Sequence, residues 1–313
     1  MEFRIGWMVA FFPLFSNVSF ADDAKNRNEA ESLISGYMSN LEAIESFELV
    51  WRREAEWVGS DGAIESTLTI GRLILDPEKN RCMSVKHDIR TLIVPSDVEA
   101  VDSKWEAVVA VVFDGKVAWE RRFPHDVGRI KPEFDKVLSE VDSPMINAIG
   151  LGGFPVTYQE SGRLRRYHDW LRQGKAGFRL INGETNTPSI SLDHPGETFF
   201  ERIVVTLDSE KLVAKTYRCS SMSRVNSDVV PTCSESYEFQ EKSHLQLPAK
   251  IIGERLRSGT LNDKSFRGTE TYEVDFHWIS VNEKLDDSLF EAQILHDGNQ
   301  LLRLVDPSVF IKK

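Results

Sequence analysis

The side chains able to do chemistry are scattered along this chain. Its seven histidines do not cluster at metal-ligand spacing. His168-Asp169, followed by Trp170 and flanked by Arg163, Arg165, Arg166 and Arg172, suits an anion site or a proton-transfer pair, and equally a solvated helix face. His87-Asp88 reads as a loop pair, and His277 beside Trp278 as a hydrogen-bonded strand residue. Gly-x-Ser-x-Gly, His-Glu-x-x-His, Walker and Cys-x-x-Cys patterns are all missing from the sequence. Gly150-Leu151-Gly152-Gly153 follows a helical pattern rather than a strand, so it is no dinucleotide loop. Asp286-Asp287 with Asn282 and Glu283 lacks the spacing and glycine of an EF-hand loop. The expectation is a protein without catalytic residues, bound metal or cofactor.

The chain has three cysteines. Cys82 sits in an apolar strand pattern, without the histidine or helix start that would activate a nucleophile, and reads as a core thiol. Cys219 ends one strand-like run and Cys233 begins the next, so a hairpin would set them opposite each other. A disulfide there would close a loop of about 15 residues and stabilise by roughly 3 kcal/mol. Two buried thiols is the other reading.

The first 21 residues set the compartment. Arg4 precedes an apolar run from Ile5 to Phe15, and Ser-Phe-Ala leads to Asp22. This is the pattern of a secretory signal peptide cleaved after Ala21, and the run is too short for a permanent membrane anchor. No Cys follows the cleavage site to take a lipid. Cleavage leaves 292 of 313 residues, still with a formal charge of −11 because Glu2 and Arg4 cancel. Binding to nucleic acid or to an anionic membrane surface by charge alone is therefore not expected. A soluble periplasmic or secreted protein is expected.

These residues need elements to position them. Ala30, Leu33, Ile34, Tyr37, Met38, Leu41 and Ile44 recur at helical spacing, so the pattern predicts an amphipathic helix over 28–45, with Asn28 able to cap it. From Phe47 to Trp57 the period becomes two, with Arg53 as the polar exception. Arg53 would contact a ligand head group, pair with a carboxylate or sit at a sheet edge. Turn chemistry at Gly59-Ser60-Asp61-Gly62 and Asp76-Pro77 bounds a second strand, and Arg81–Val85 reads as a third. Asp114-Gly115-Lys116 joins two further strands, 105–113 and 117–123, as a hairpin. Residues near 130–172 read as a helical insertion, with Pro132 and Pro144 at helix starts. Strands are then predicted at 177–182, 188–193, 198–207, 211–219, 234–241, 248–257 and 266–280. The fold class is α+β, mainly antiparallel β, with residues 22–313 as one domain.

This order resembles the periplasmic lipoprotein-carrier superfamily, the outer-membrane lipoprotein-sorting-like proteins. Three segments carry the likeness: the helix-to-strand passage Tyr37–Trp57 with a second strand reaching Asp76-Pro77; Val112–Trp119 with its Asp-Gly-Lys turn; and Leu247–Ile251 together with Val281–Phe290. The resemblance implies an incomplete, half-open β-barrel wrapped over the N-terminal helix, with an apolar cavity between them. The carriers place a basic residue immediately before the proline that ends the second strand, where this chain has Asp76. On such a scaffold Trp51, Trp57, Val109, Val111, Trp119, Val205 and Phe276, with Arg53, occupy positions that could line the cavity; core packing is the plainer reading of each. The expected function is binding or carriage of an apolar small molecule, lipid or lipoprotein acyl chain, with an envelope protein as a possible further partner. The alternative is an interaction or sensor module with a filled interior.

Overall fold

In a computed structural model the described residues are 43–305, apart from 77, 80, 95–100, 124–126, 131–176, 183–187, 196–198, 209, 211–212, 224–228 and 262–263. Asn28, Ser32, Ser35, Gly36 and Ser39 are described as well, and all five are helical. The expected signal peptide, most of the N-terminal apolar stripe, the expected insertion and His168-Asp169 lie outside the described residues.

Alternation in the sequence becomes thirteen antiparallel strands. The first six are β1 (Phe47–Gly59), β2 (Ile64–Asp76), β3 (Arg81–Val94), β4 (Val101–Phe113), β5 (Ala118–Arg122) and β6 (Val127–Ile130). The rest are β7 (Gly177–Asn182), β8 (Pro188–Pro195), β9 (Phe199–Asp208), β10 (Val213–Ser223), β11 (Val229–Lys242), β12 (Leu245–Leu261) and β13 (Lys264–Val281). They form a single sheet in the order β6-β5-β4-β3-β2-β1-β13-β12-β11-β10-β9-β8-β7. The chain thus starts at the middle of the sheet and steps outward to β6. It re-enters at the far edge as β7 and steps back until β13 pairs with β1. Among the described residues the two edge strands do not pair with each other, so the sheet they form is not closed.

The tight turns use the residues expected of them. Gly62 has φ 82°, and the Asp61 carboxylate accepts from the Ala63 N–H. Gly115 has φ 97°, and Asp114 Oδ1 accepts from the N–H groups of Lys116 and Val117, each at 2.8 Å. The third strand runs past the predicted 81–85 to Val94, so His87-Asp88 is strand and not loop. Polar cross-strand partners sustain it: Asp88 accepts from the Thr69 hydroxyl at 2.7 Å, and His87 meets Glu106 at 2.7 Å.

Two cores flank the sheet. One face, called the aromatic face below, carries Phe47, Leu49, Trp51 and Trp57 of β1 with Val274, Phe276 and Trp278 of β13, all buried. On the opposite face, Ile70, Ile74, Met83, Val85, Ala110 and Val112 pack under the C-terminal segment. That segment forms two 3-10 turns, Asp287–Phe290 and Ala292–His296, and a short α-helix, Gly298–Leu304. Phe290, Leu295 and Leu301 are its buried anchors, each contributing about 1.5–3 kcal/mol on burial.

Candidate functional site

The aromatic face is built from bare backbone. The Trp51 ring lies against Gly71 on the neighbouring strand, Tyr272 against Gly253, and Trp57 against Gly268 and Gly59. A Cβ at Gly71, Gly253 or Gly268 would collide with the ring beside it, so glycine is what lets large aromatics lie flat across the strands. Phe47 meets the Trp278 ring edge-on at 5.5 Å between centroids. The Trp278 indole N–H donates to the Pro248 carbonyl at 2.7 Å.

One end of this face is polar. A single cross-sheet row runs Cys219, Cys233, Arg255, Glu270, Trp57, Glu65. Glu270, its side chain only 4% exposed, receives three guanidiniums: Arg255, Arg53 at 3.1 Å and Arg257 at 3.4 Å. Arg257 also reaches Glu65 at 3.5 Å. Burial alone would raise the Glu270 carboxyl; the Arg255 hydrogen bond and the charges of Arg53, Arg255 and Arg257 outweigh it and hold the group below the usual carboxylate range. In the next row, the buried Glu235 accepts from the hydroxyls of Tyr237 and Tyr272. Burial, followed by the Glu235 charge, pushes the Tyr272 hydroxyl far above its ordinary value. Arg53 and Arg255 both stack over the Tyr272 ring, 5.3 and 5.6 Å from its centroid.

The residues singled out in the sequence are placed as follows. Trp51, Arg53, Trp57, Val109, Val111, Val205 and Phe276 share the aromatic face. Trp119 does not: the β4–β5 hairpin pairs it with Val112, on the opposite face beneath the C-terminal segment. Arg53 takes the carboxylate partner that was one of its readings, and β1 is paired on both sides, so it is not at an edge. Cys219 and Cys233 are direct register partners, as the hairpin argument expected. Cys82 is fully buried, and burial pushes its thiol up.

A groove of about 830 Å³ opens on the opposite face, over β1 to β3 and β10 to β13. Glu54, Glu56, Glu254 and Glu273 line it beside Leu68 and Ile252, and none of the eight expected cavity residues does. Among the described residues no group of three acidic, histidine or cysteine side chains could hold a metal, and no helix is long and apolar enough to cross a membrane.

Sequence reasoning missed Glu270, Arg255, Arg257 and Glu235. Their signal was available: charged residues falling on the inward phase of three adjacent strands, β11 to β13.

The closing motif is a clasp. Asn282, at φ 56°, accepts from the N–H of Glu45 at 2.7 Å and of Ser46 at 3.3 Å, and donates to the Ala43 carbonyl at 2.7 Å. It ties the approach to β1 to the end of β13. Asp286 caps the first 3-10 turn. Asp76, the departure from the carriers' pattern, pairs with Arg81 at 2.7 Å. Arg81 also reaches Asp287 at 2.8 Å and covers the Phe290 ring.

No protein-family model matches this sequence, and no curated protein does. Among solved structures, the chain is similar to a DUF1329 family protein from Desulfovibrio piger, with TM-score 0.40, 11% identity, and 86% of this chain and 99% of that chain covered. It is also similar to a Vibrio parahaemolyticus domain assigned as an outer membrane lipoprotein-sorting protein, with TM-score 0.38, 12% identity, and coverage of 86% and 100%.

Proposed function

We propose that this chain is an exported, non-enzymatic binding protein of the cell envelope. It carries an apolar-tailed ligand, a lipid or a lipoprotein acyl chain, against the aromatic face of its open sheet. On this reading the signal peptide is removed after Ala21. Residues 22–313 then form one domain, in which the sheet curls as an incomplete barrel over the N-terminal helix and residues 130–172 are an insertion.

The observation that carries the reading is the polarity of the aromatic face. Its length is apolar, from Phe47 and Trp278 to Trp51 and Phe276, while guanidiniums gather at one end. A tail lies along the rings with the ligand's polar end towards Arg53, Arg255 and Arg257, as few convergent polar groups in an apolar site fix orientation. Val109, Val111 and Val205 extend the apolar wall. The test is uptake of a fluorescent fatty acid by delipidated protein, followed by energy transfer from tryptophan. Uptake that weakens in Trp51→Ala and Trp57→Ala supports carriage; delipidated wild-type protein that takes up none overturns it.

A second reading is a sensor or interaction module with a filled interior. Trp51, Trp57, Phe276 and Trp278 are each below a tenth exposed, which favours it. The groove, lined by Glu54, Glu56, Glu235, Glu254 and Glu273 against one cation, Arg218, would then receive a basic segment of an envelope protein. Cross-linking in the envelope to one protein, without any bound lipid, would select this reading.

A further inference from the structure

We infer that Cys219 and Cys233 form a cross-strand disulfide in the mature protein, closed by attack of Cys233 on a disulfide-donating oxidant. The two residues are direct partners in the β10–β11 ladder. Antiparallel partners hold their Cα atoms about 4.5–5.5 Å apart, within the range of about 4.4–6.8 Å that a disulfide bridges. The ladder shifts register immediately beyond this pair, so that Ser220 meets Pro231 and Thr232 is the extra residue. A bulge at that point adds local twist, and Pro231, lacking an N–H, suits the interrupted ladder. Of the backbone pairing between β10 and β11, only the steps from Ser220 to Met222 lie beyond the cysteines. The bridge would therefore fix the register where the ladder is weakest.

The two thiols are not equivalent. Cys219 is buried, whereas Cys233 is half-buried and is therefore the one an oxidant can reach. Its partner on the other side is Arg255, whose positive charge favours the thiolate; Glu235, whose carboxylate lies 3.7 Å from the Cys233 sulfur, opposes it. The Cys233 thiolate attacks one sulfur of the oxidant disulfide and expels the other as a thiolate, which leaves a mixed disulfide on Cys233. The Cys219 thiol then loses its proton and attacks the Cys233 sulfur. That forms the protein disulfide and releases the second half of the oxidant as a thiol. Two protein thiols are oxidised and one oxidant disulfide is reduced. Cys82 takes no part, because its thiol is fully buried in the other half of the sheet.

The experiment uses the full chain purified under reducing conditions, with oxidised glutathione as the oxidant. After oxidation, alkylation in denaturant should label one cysteine, Cys82, and labelling should rise to all three after reduction, with a 219–233 cross-linked peptide in the unreduced digest. Labelling of all three without reduction, or a bridge that includes Cys82, overturns the inference. The order of attack is tested by single variants. Cys219→Ser should trap a glutathione adduct on Cys233, and Cys233→Ser should leave Cys219 unmodified in the native protein. The reverse pattern overturns the assignment of Cys233 as the attacking thiol. If either variant fails to fold, thiol counting on the natural chain still decides the bridge.

Discussion

Replacing Glu270 with Gln removes the only carboxylate that all three of Arg53, Arg255 and Arg257 reach in this row. Removing one partner of a fully buried ion pair costs about 3–5 kcal/mol. Here the side chains of Arg255 and Arg257 are 38% and 34% exposed, so water solvates them when the carboxylate is gone. Gln also keeps one acceptor oxygen. Both effects lower the expected loss to about 2–3 kcal/mol, or a fall of roughly 3–5 °C in melting temperature for a chain of this size. Urea unfolding followed by tryptophan emission reads it directly, since Trp57 lies in the same row.

The pH dependence is a second readout with a definite sign. Folded Glu270 binds its proton less readily than the unfolded residue does, so unfolding at acid pH takes up a proton. The stabilisation is complete above the ordinary glutamate pKa of about 4.3. It is lost as the pH falls through the lower folded value. Glu270→Gln should therefore show a flatter decline on the acid side than the natural chain. An unchanged midpoint at neutral pH together with an unchanged acid limb would refute the reasoning.

Other substitutions probe separate parts of the architecture. Gly71→Ala drives a methyl group into the Trp51 ring and should cost about 1–3 kcal/mol by overpacking, with a shifted tryptophan emission spectrum. Asn282→Ala removes three hydrogen bonds at the junction of β1 and β13 and should cost about 2–3 kcal/mol, measured by chemical unfolding; Asn282→Gly, which relieves the positive φ but restores no side-chain bond, should recover only part of it. Arg81→Ala leaves Asp76 and Asp287 with their weaker Lys79 contacts alone and uncovers Phe290, so hydrogen exchange should quicken over residues 285–305 while β12 and β13 stay protected.

Much of the sheet was legible because most of its strands bury one face. Alternation through Phe47, Leu49 and Trp51, and turn residues such as Asp61-Gly62 and Asp114-Gly115, are local signals that survive without tertiary information. The second half of β3 was hidden because His87 and Asp88 look like solvent-facing loop residues. Only their partners across the ladder, Glu106 and Thr69, make them strand residues. Trp119 was grouped with Val109 and Val111, although the ladder sets it on the other face, for a related reason. Register across a hairpin has period two, so counting one residue differently through Asp114-Gly115-Lys116 exchanges the faces of the whole following strand. The ion cluster was illegible because Arg53, Glu65, Arg255 and Glu270 come from four strands, and pairing of β1 with β13 brings together residues more than 200 positions apart. The closing motif carried a family resemblance in the sequence. Its physical reason, the Asn282 clasp and the Arg81 bridge, required the fold.

Native mass spectrometry of the mature protein, purified from its own envelope fraction without detergent, tests carriage most directly. The carrier reading expects a mass increment that solvent extraction removes and that proves to be lipid or acyl chain, lowered in occupancy by Trp51→Ala. A bare polypeptide mass in repeated preparations, with no increment after incubation with envelope lipids, would contradict it.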